Sequence, residues 1–102
     1  MGDAIAVHGG CGRWDGRYTH AALRGVRAAV EAARRIFASG GSALDAVCAA
    51  VVVLEDDPLF NAGTGSTLNR EGDAEMDAHG LGHGCRLSVT ALFNSIILRP
   101  RP

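Results

Sequence analysis

The apolar positions fall into runs of different period, and each change of period marks a new element. Ala4-Ile5-Ala6-Val7 is a short apolar run stopped by His8-Gly9-Gly10-Cys11-Gly12. A run of that length closed by glycines predicts a buried strand. The polar, aperiodic stretch from Arg13 to Thr19 predicts a loop. From His20 to Ser39 the period turns helical: Leu23, Val26, Val30, Ala33 and Phe37 recur at spacings of three and four, while Arg24, Arg27, Glu31, Arg34 and Arg35 take other positions. This predicts an amphipathic helix with one buried face. Gly40-Gly41 should end it, because glycine takes the left-handed conformation that a helix C-terminus often needs.

Ser42 followed three residues later by Asp45 approximates a capping box, with Asp for the usual Glu. It predicts a second helix over Ala43 to Leu54, apolar nearly all round after Asp45 and therefore buried on several sides. Its four valines favour strand, but twelve residues behind a cap favour helix. Glu55-Asp56-Asp57-Pro58 should end it. Leu59 to Asn69, rich in Gly, Ser, Thr and Asn, predicts a structured loop, and Arg70-Glu71-Gly72-Asp73 a hairpin turn. Ala74 to Ala78 alternates like a short strand, His79 to Cys85 is glycine-rich and irregular, and Arg86 to Leu92 and Ile96 to Leu98 suit further strands. The order strand, two helices, strands predicts a mixed α/β fold with a layered sheet.

Composition narrows the function. The 102 residues make one domain at most, and 47% are hydrophobic, which suffices for a core and argues against disorder. Ten basic residues against eleven acidic ones, without a basic patch, make nucleic acid a poor partner. The longest apolar run, Ala46 to Leu54, is too short to span a bilayer, and Met1 to Ile5 does not read as a secretory signal. Three cysteines without paired spacing do not read as a disulfide framework. A cytoplasmic, reducing setting is expected.

Candidate chemistry concentrates between Glu55 and Ser66. Glu55, Asp56 and Asp57 stand at the negative end of a helix dipole, a small cost when solvated that a bound cation would reverse. The glycines that follow allow tight turns that aim carbonyls inward. On physical grounds alone, a solvated acidic surface is the simpler account.

The segment Leu54-Glu55-Asp56-Asp57-Pro58-Leu59-Phe60-Asn61-Ala62-Gly63, followed by Gly65-Ser66 and Leu68-Asn69, closely resembles the signature of the plant-type L-asparaginase / isoaspartyl peptidase family. Three other pieces lie in the same order: His8-Gly9-Gly10-Cys11-Gly12, Gly40-Gly41-Ser42-Ala43-Leu44-Asp45-Ala46-Val47, and Gly72-Asp73-Ala74-Glu75-Met76-Asp77-Ala78. The resemblance covers Ala4 to Ala78 well and fades over residues 79–102. It implies an N-terminal nucleophile hydrolase with a four-layer αββα sandwich, of which this chain would supply an incomplete part. A precursor would cleave itself before a threonine, whose own α-amine then serves as base, and an oxyanion hole would stabilise the tetrahedral intermediate. Substrates would be L-asparagine and isoaspartyl dipeptides, and a C-terminal β subunit and a homodimer would be the partners. No organic cofactor is implied. A structural sodium ion is, held by the backbone carbonyls of Leu54, Glu55, Asp57, Phe60, Ala62 and Thr64, since oxygen-only ligation suits a hard cation. Asn61 would support the surroundings of the threonine, and His8, Gly9 and Gly10 would border the active centre.

The family's nucleophile lies in a Gly-Thr-Val-Gly motif. Thr19, Thr64, Thr67 and Thr90 are the only threonines here, and none precedes Val-Gly. The chain alone is therefore expected to be inactive. Other readings stay open at this point. His79, His83 and Cys85, with Cys11, Cys48, His8 and His20 elsewhere, could suggest zinc, although paired ligand spacings are missing. His-Gly-Gly after a strand also suits the oxyanion loop of an α/β-hydrolase, but there is no Gly-x-Ser-x-Gly elbow. A non-catalytic chain that binds full-length homologue subunits through its two helices is a third reading.

Overall fold

The computed structural model describes residues 3–10 and 14–75. Within them the order is helix α1 (Thr19–Ala38), helix α2 (Ala43–Asp56) and a single 3₁₀ turn, Gly63–Gly65. The two helices pack against each other as a hairpin. The joint between them follows from local chemistry. Gly40 takes φ +82°, its N–H donates to the Phe37 carbonyl at 3.0 Å, and the Gly41 N–H donates to the Ile36 carbonyl at 2.9 Å. This is the paired Schellman arrangement that satisfies the last carbonyls of α1. One residue later the Asp45 N–H donates to Ser42 Oγ at 3.1 Å and the Ser42 N–H to Asp45 Oδ2 at 3.4 Å. The capping box read from the sequence is therefore formed.

The buried face of α1 is narrower and smaller than its periodicity predicts. Gly25, Ala29 and Ala33, spaced by four, are the buried positions, and Val26, Ile36 and Phe37 flank them partly buried. Leu23, placed by its spacing on the buried face, is 44% exposed. The reason is steric: small residues every fourth position let α2 approach closely, so the contact line runs along the alanines and the larger side chains lie at its margins. On α2, Ala46, Val47, Ala50, Val51, Leu54 and Glu55 are buried, but Leu44 and Val52 are open at 47% and 36%. Burial on several sides is thus only partly realised among the described residues, and Cys48 is half-buried.

One core results, built from Ala29, Ala33, Ala46, Ala50, Leu54 and Phe60, with Ile5, Val7, Val53 and Leu59 packed on its rim. Residues 4–7 alternate as a strand would: Ile5 and Val7 turn toward the core while Ala4 and Ala6 are exposed. They join no ladder among the described residues, in which no strand is paired. The expected strands at Arg86–Leu92 and Ile96–Leu98, most of Ala74–Ala78, and His79, His83, Cys85 and Cys11 lie outside the described residues. No helix among the described residues is long and apolar enough to cross a membrane.

Candidate active site

The segment that leaves α2 is a succession of tight turns. The α2 ladder closes with the Asp57 N–H donating to the Leu54 carbonyl at 3.3 Å, and the Phe60 N–H then donates to the Asp57 carbonyl at 3.3 Å. The Asp57 carboxylate accepts from the Leu59 N–H at 2.9 Å, an Asx turn of the kind aspartate favours. Ala62 N–H donates to the Phe60 carbonyl at 2.8 Å, Gly65 N–H to the Ala62 carbonyl at 3.3 Å, and Ser66 N–H to the Gly63 carbonyl at 3.2 Å. Asn61 closes the loop from outside: its Oδ1 accepts from the Thr67 N–H at 2.8 Å and from the Thr67 hydroxyl at 3.0 Å.

Two glycines make this path possible. Gly63 has φ +57°, and a Cβ there would strike the Glu55 carbonyl oxygen. A Cβ on Gly65 would strike the carbonyl oxygens of both Phe60 and Pro58. The carbonyls of Glu55, Pro58 and Phe60 therefore crowd one short stretch of backbone, which only glycine tolerates. Glu55 and Phe60 belong to the carbonyl set named from the sequence, whereas Pro58 does not. The carbonyls of Leu54, Asp57, Phe60 and Ala62 each accept one backbone N–H, and a carbonyl oxygen has two lone pairs.

The acidic triplet is not a solvated face, as the simpler account had it. Glu55 is fully buried at 0% exposure, Asp57 is half-buried and only Asp56 is exposed. An ionised carboxylate taken wholly out of water is expensive unless its surroundings compensate, so Glu55 belongs to the inner wall of this loop. Among the described residues no group of three or more His, Cys, Asp or Glu side chains is arranged to hold a metal ion.

Phe60 joins this loop to the N-terminal glycines. A Cβ on Gly9 would lie 2.8 Å from Phe60 Cε1 and 3.3 Å from Val26 Cγ1, so the Gly9 backbone lies against one edge of the ring. A Cβ on Gly25, inside α1, would lie 2.5 Å from Phe60 Cε2 and 3.0 Å from Asp57 Oδ2. Trp14 meets the same ring edge-on, with centroids 5.7 Å apart at 64°. Gly10 follows with φ +114°, and its N–H donates to Nδ1 of the exposed His8 at 3.3 Å. Thus His8-Gly9-Gly10 and the turn segment after α2, fifty residues apart, share one wall. Sequence reasoning missed the ring of Phe60, Trp14, Gly25 and the Thr67 partner of Asn61. An isolated glycine inside a helical pattern, as at Gly25, was the available signal of a close packing contact.

With that geometry in place, similarity to known proteins becomes interpretable. The asparaginase family model matches residues 1–94. The chain belongs to the asparaginase family. That family has the fold of the N-terminal nucleophile hydrolases. The isoaspartyl peptidase/L-asparaginase of Xenopus laevis is 49% identical over 78 residues, covering 76% of this chain and 25% of that protein. The plant-type L-asparaginase of Pyrococcus furiosus is 56% identical over 77 residues, covering 74% of this chain and 24% of that protein. The isoaspartyl peptidase/L-asparaginase of Macaca fascicularis is 45% identical over 93 residues, covering 90% of this chain and 30% of that protein. The chain thus spans about a quarter of the length of the curated relatives it matches.

Proposed function

We propose that this chain is the N-terminal part of an amide hydrolase for L-asparagine and isoaspartyl dipeptides, folded as one portion of an αββα sandwich. The observation that supports it most is 56% identity to a plant-type L-asparaginase over 77 residues. The nucleophile is a threonine from outside these 102 residues. Thr19, Thr64, Thr67 and Thr90 are the only threonines here, and none precedes Val-Gly as the family's nucleophile does. Thr67 is moreover engaged through both its N–H and its hydroxyl with Asn61. In this reading a C-terminal β subunit, released by autocatalytic cleavage, completes the sheet and brings the threonine, and the assembly is a cytoplasmic homodimer.

The chain's own residues border and support the centre rather than react. His8, Gly9 and Gly10 line it with backbone, and Asn61 holds the loop that supports the threonine's surroundings. The donors would be carbonyl oxygens, which suit a hard alkali cation, and two of them, those of Glu55 and Phe60, crowd at Gly63 and Gly65. The carbonyls of Leu54, Glu55, Asp57, Phe60, Ala62 and Thr64 would hold a sodium ion. Its contribution would be structural, fixing the loop that follows α2 and offsetting the negative end of that helix.

A hydrolysis assay with L-asparagine and a β-aspartyl dipeptide tests the reading. The chain alone should be inactive, and mixing it with the remaining length of the Pyrococcus furiosus relative should restore hydrolysis. Activity of the chain alone would contradict it. The open apolar side chains Leu44 and Val52 on α2 favour one alternative, a non-catalytic chain that binds intact homologue subunits. Co-purification with an intact relative, without restored hydrolysis in the mixture, would favour that alternative.

A further inference from the structure

The ring of Phe60 is held on three sides by backbone or rings from distant parts of the chain: Gly9 over one edge, Gly25 of α1 against another, and Trp14 edge-on at 5.7 Å. A Cβ at either glycine would clash with the ring, lying 2.8 Å from Phe60 Cε1 at Gly9 and 2.5 Å from Phe60 Cε2 at Gly25. The His8–Gly10 turn is therefore set against the ring itself. From there the path is short. Gly10, with φ +114°, donates its N–H to His8 Nδ1 at 3.3 Å. A nitrogen that accepts this hydrogen bond carries no proton, so a neutral His8 bears its hydrogen on Nε2. We propose that Phe60 is a positioning residue: its side chain, wedged between Gly9 and Gly25, fixes the His8–Gly10 turn against the loop after α2 and thereby holds the neutral His8 imidazole as its Nε2–H tautomer. The backbone of Phe60 shapes the loop, and its ring ties that loop to the turn. A cause that moves the 57–66 loop therefore moves Gly9 and His8 with it.

The bearing of this coupling on catalysis rests on the function proposed above, but the coupling itself does not. It is tested on the full chain, labelled at alanine, glycine, histidine and phenylalanine, by magic-angle-spinning NMR, which reads self-associated protein as well as monomer. Wild type should show a contact between the Phe60 ring protons and Gly9 Hα, a ring-current shift at that proton, and the nitrogen resonances of an Nε2–H imidazole at His8. Phe60→Leu should abolish the ring-current shift and convert His8 to a mixture of tautomers. Absence of the wild-type contact would overturn the proposal, as would a folded Phe60→Leu variant with Gly9 and His8 unchanged. Should Phe60→Leu lose its helical resonances at Ala29 and Ala33, Gly25→Ala decides, because it displaces the ring without removing it. A shifted Gly9 resonance then supports the coupling and an unshifted one overturns it. Failure of the completed protein to hydrolyse amides would instead overturn the functional reading and leave this result standing.

Discussion

Gly25 lies inside α1, where glycine costs a helix roughly 0.5–1 kcal/mol relative to alanine. The usual stabilisation by Gly→Ala is reversed here, because the added methyl would lie 2.5 Å from Phe60 Cε2. Overpacking typically costs about 1–3 kcal/mol, so Gly25→Ala should destabilise the helical hairpin by roughly 0.5–2 kcal/mol net. Urea denaturation followed by helical circular dichroism reads this directly. Phe60→Ala, at a side chain 2% exposed, should cost more, about 3–5 kcal/mol. Leu23→Ala, at a position 44% open, should stay within about 0.5 kcal/mol. The ordering of these variants separates the observed contact face from the one that periodicity implied. The sequence pattern ranks Leu23 with Val26 as core, because spacing records which residues share a face but not how closely the partner helix approaches. Gly25, Ala29 and Ala33 add little to a hydrophobic pattern, yet they form the contact line.

At the scale of elements, the two helices are unequally anchored. α2 begins with a complete capping box, whereas α1 begins at Tyr18 with no side-chain cap and no acidic residue in its first turn. Ser42→Ala should therefore cost about 1 kcal/mol, within the roughly 0.5–2 kcal/mol span of lost N-caps. In hydrogen exchange, the amides of the first turn of α1 should exchange faster than those of α2. Equal protection at the two starts would contradict the assignment. These boundaries were legible because capping is local chemistry: Ser42, Asp45, Gly40 and Gly41 act within a few residues of themselves. The burial of Glu55 was not legible. A run of three acidic residues reads as solvated until the turns after α2 and the helical hairpin enclose the first of them. The convergence of Gly9 on Phe60 was hidden for the same reason. It joins residues fifty apart, and only the resemblance of both segments to one family placed them near one centre.

At the scale of the whole molecule, the described residues leave apolar side chains open. Leu44 and Val52 lie eight apart on one side of α2, exposed at 47% and 36%, and Leu68 is 64% exposed. A stripe of this kind favours self-association when nothing covers it. Sedimentation of the isolated chain should show association that grows with concentration, and Leu44→Glu with Val52→Glu should reduce it. A monodisperse monomer that melts cooperatively would contradict the expectation. The relatives are about four times as long as the stretch they share with this chain, which covers 24–25% of them. In the proposed reading, further chain completes the fold and covers that open surface.

The most direct test of the central claim is a chimera in which residues 1–78 of this chain replace the aligned segment of the Pyrococcus furiosus relative. Its hydrolysis of L-asparagine would be measured after circular dichroism has established that it folds. The account predicts a folded protein that hydrolyses L-asparagine and loses that activity when its threonine nucleophile is replaced by alanine. A folded chimera without hydrolysis would show that these residues do not build the N-terminal part of an asparaginase active site.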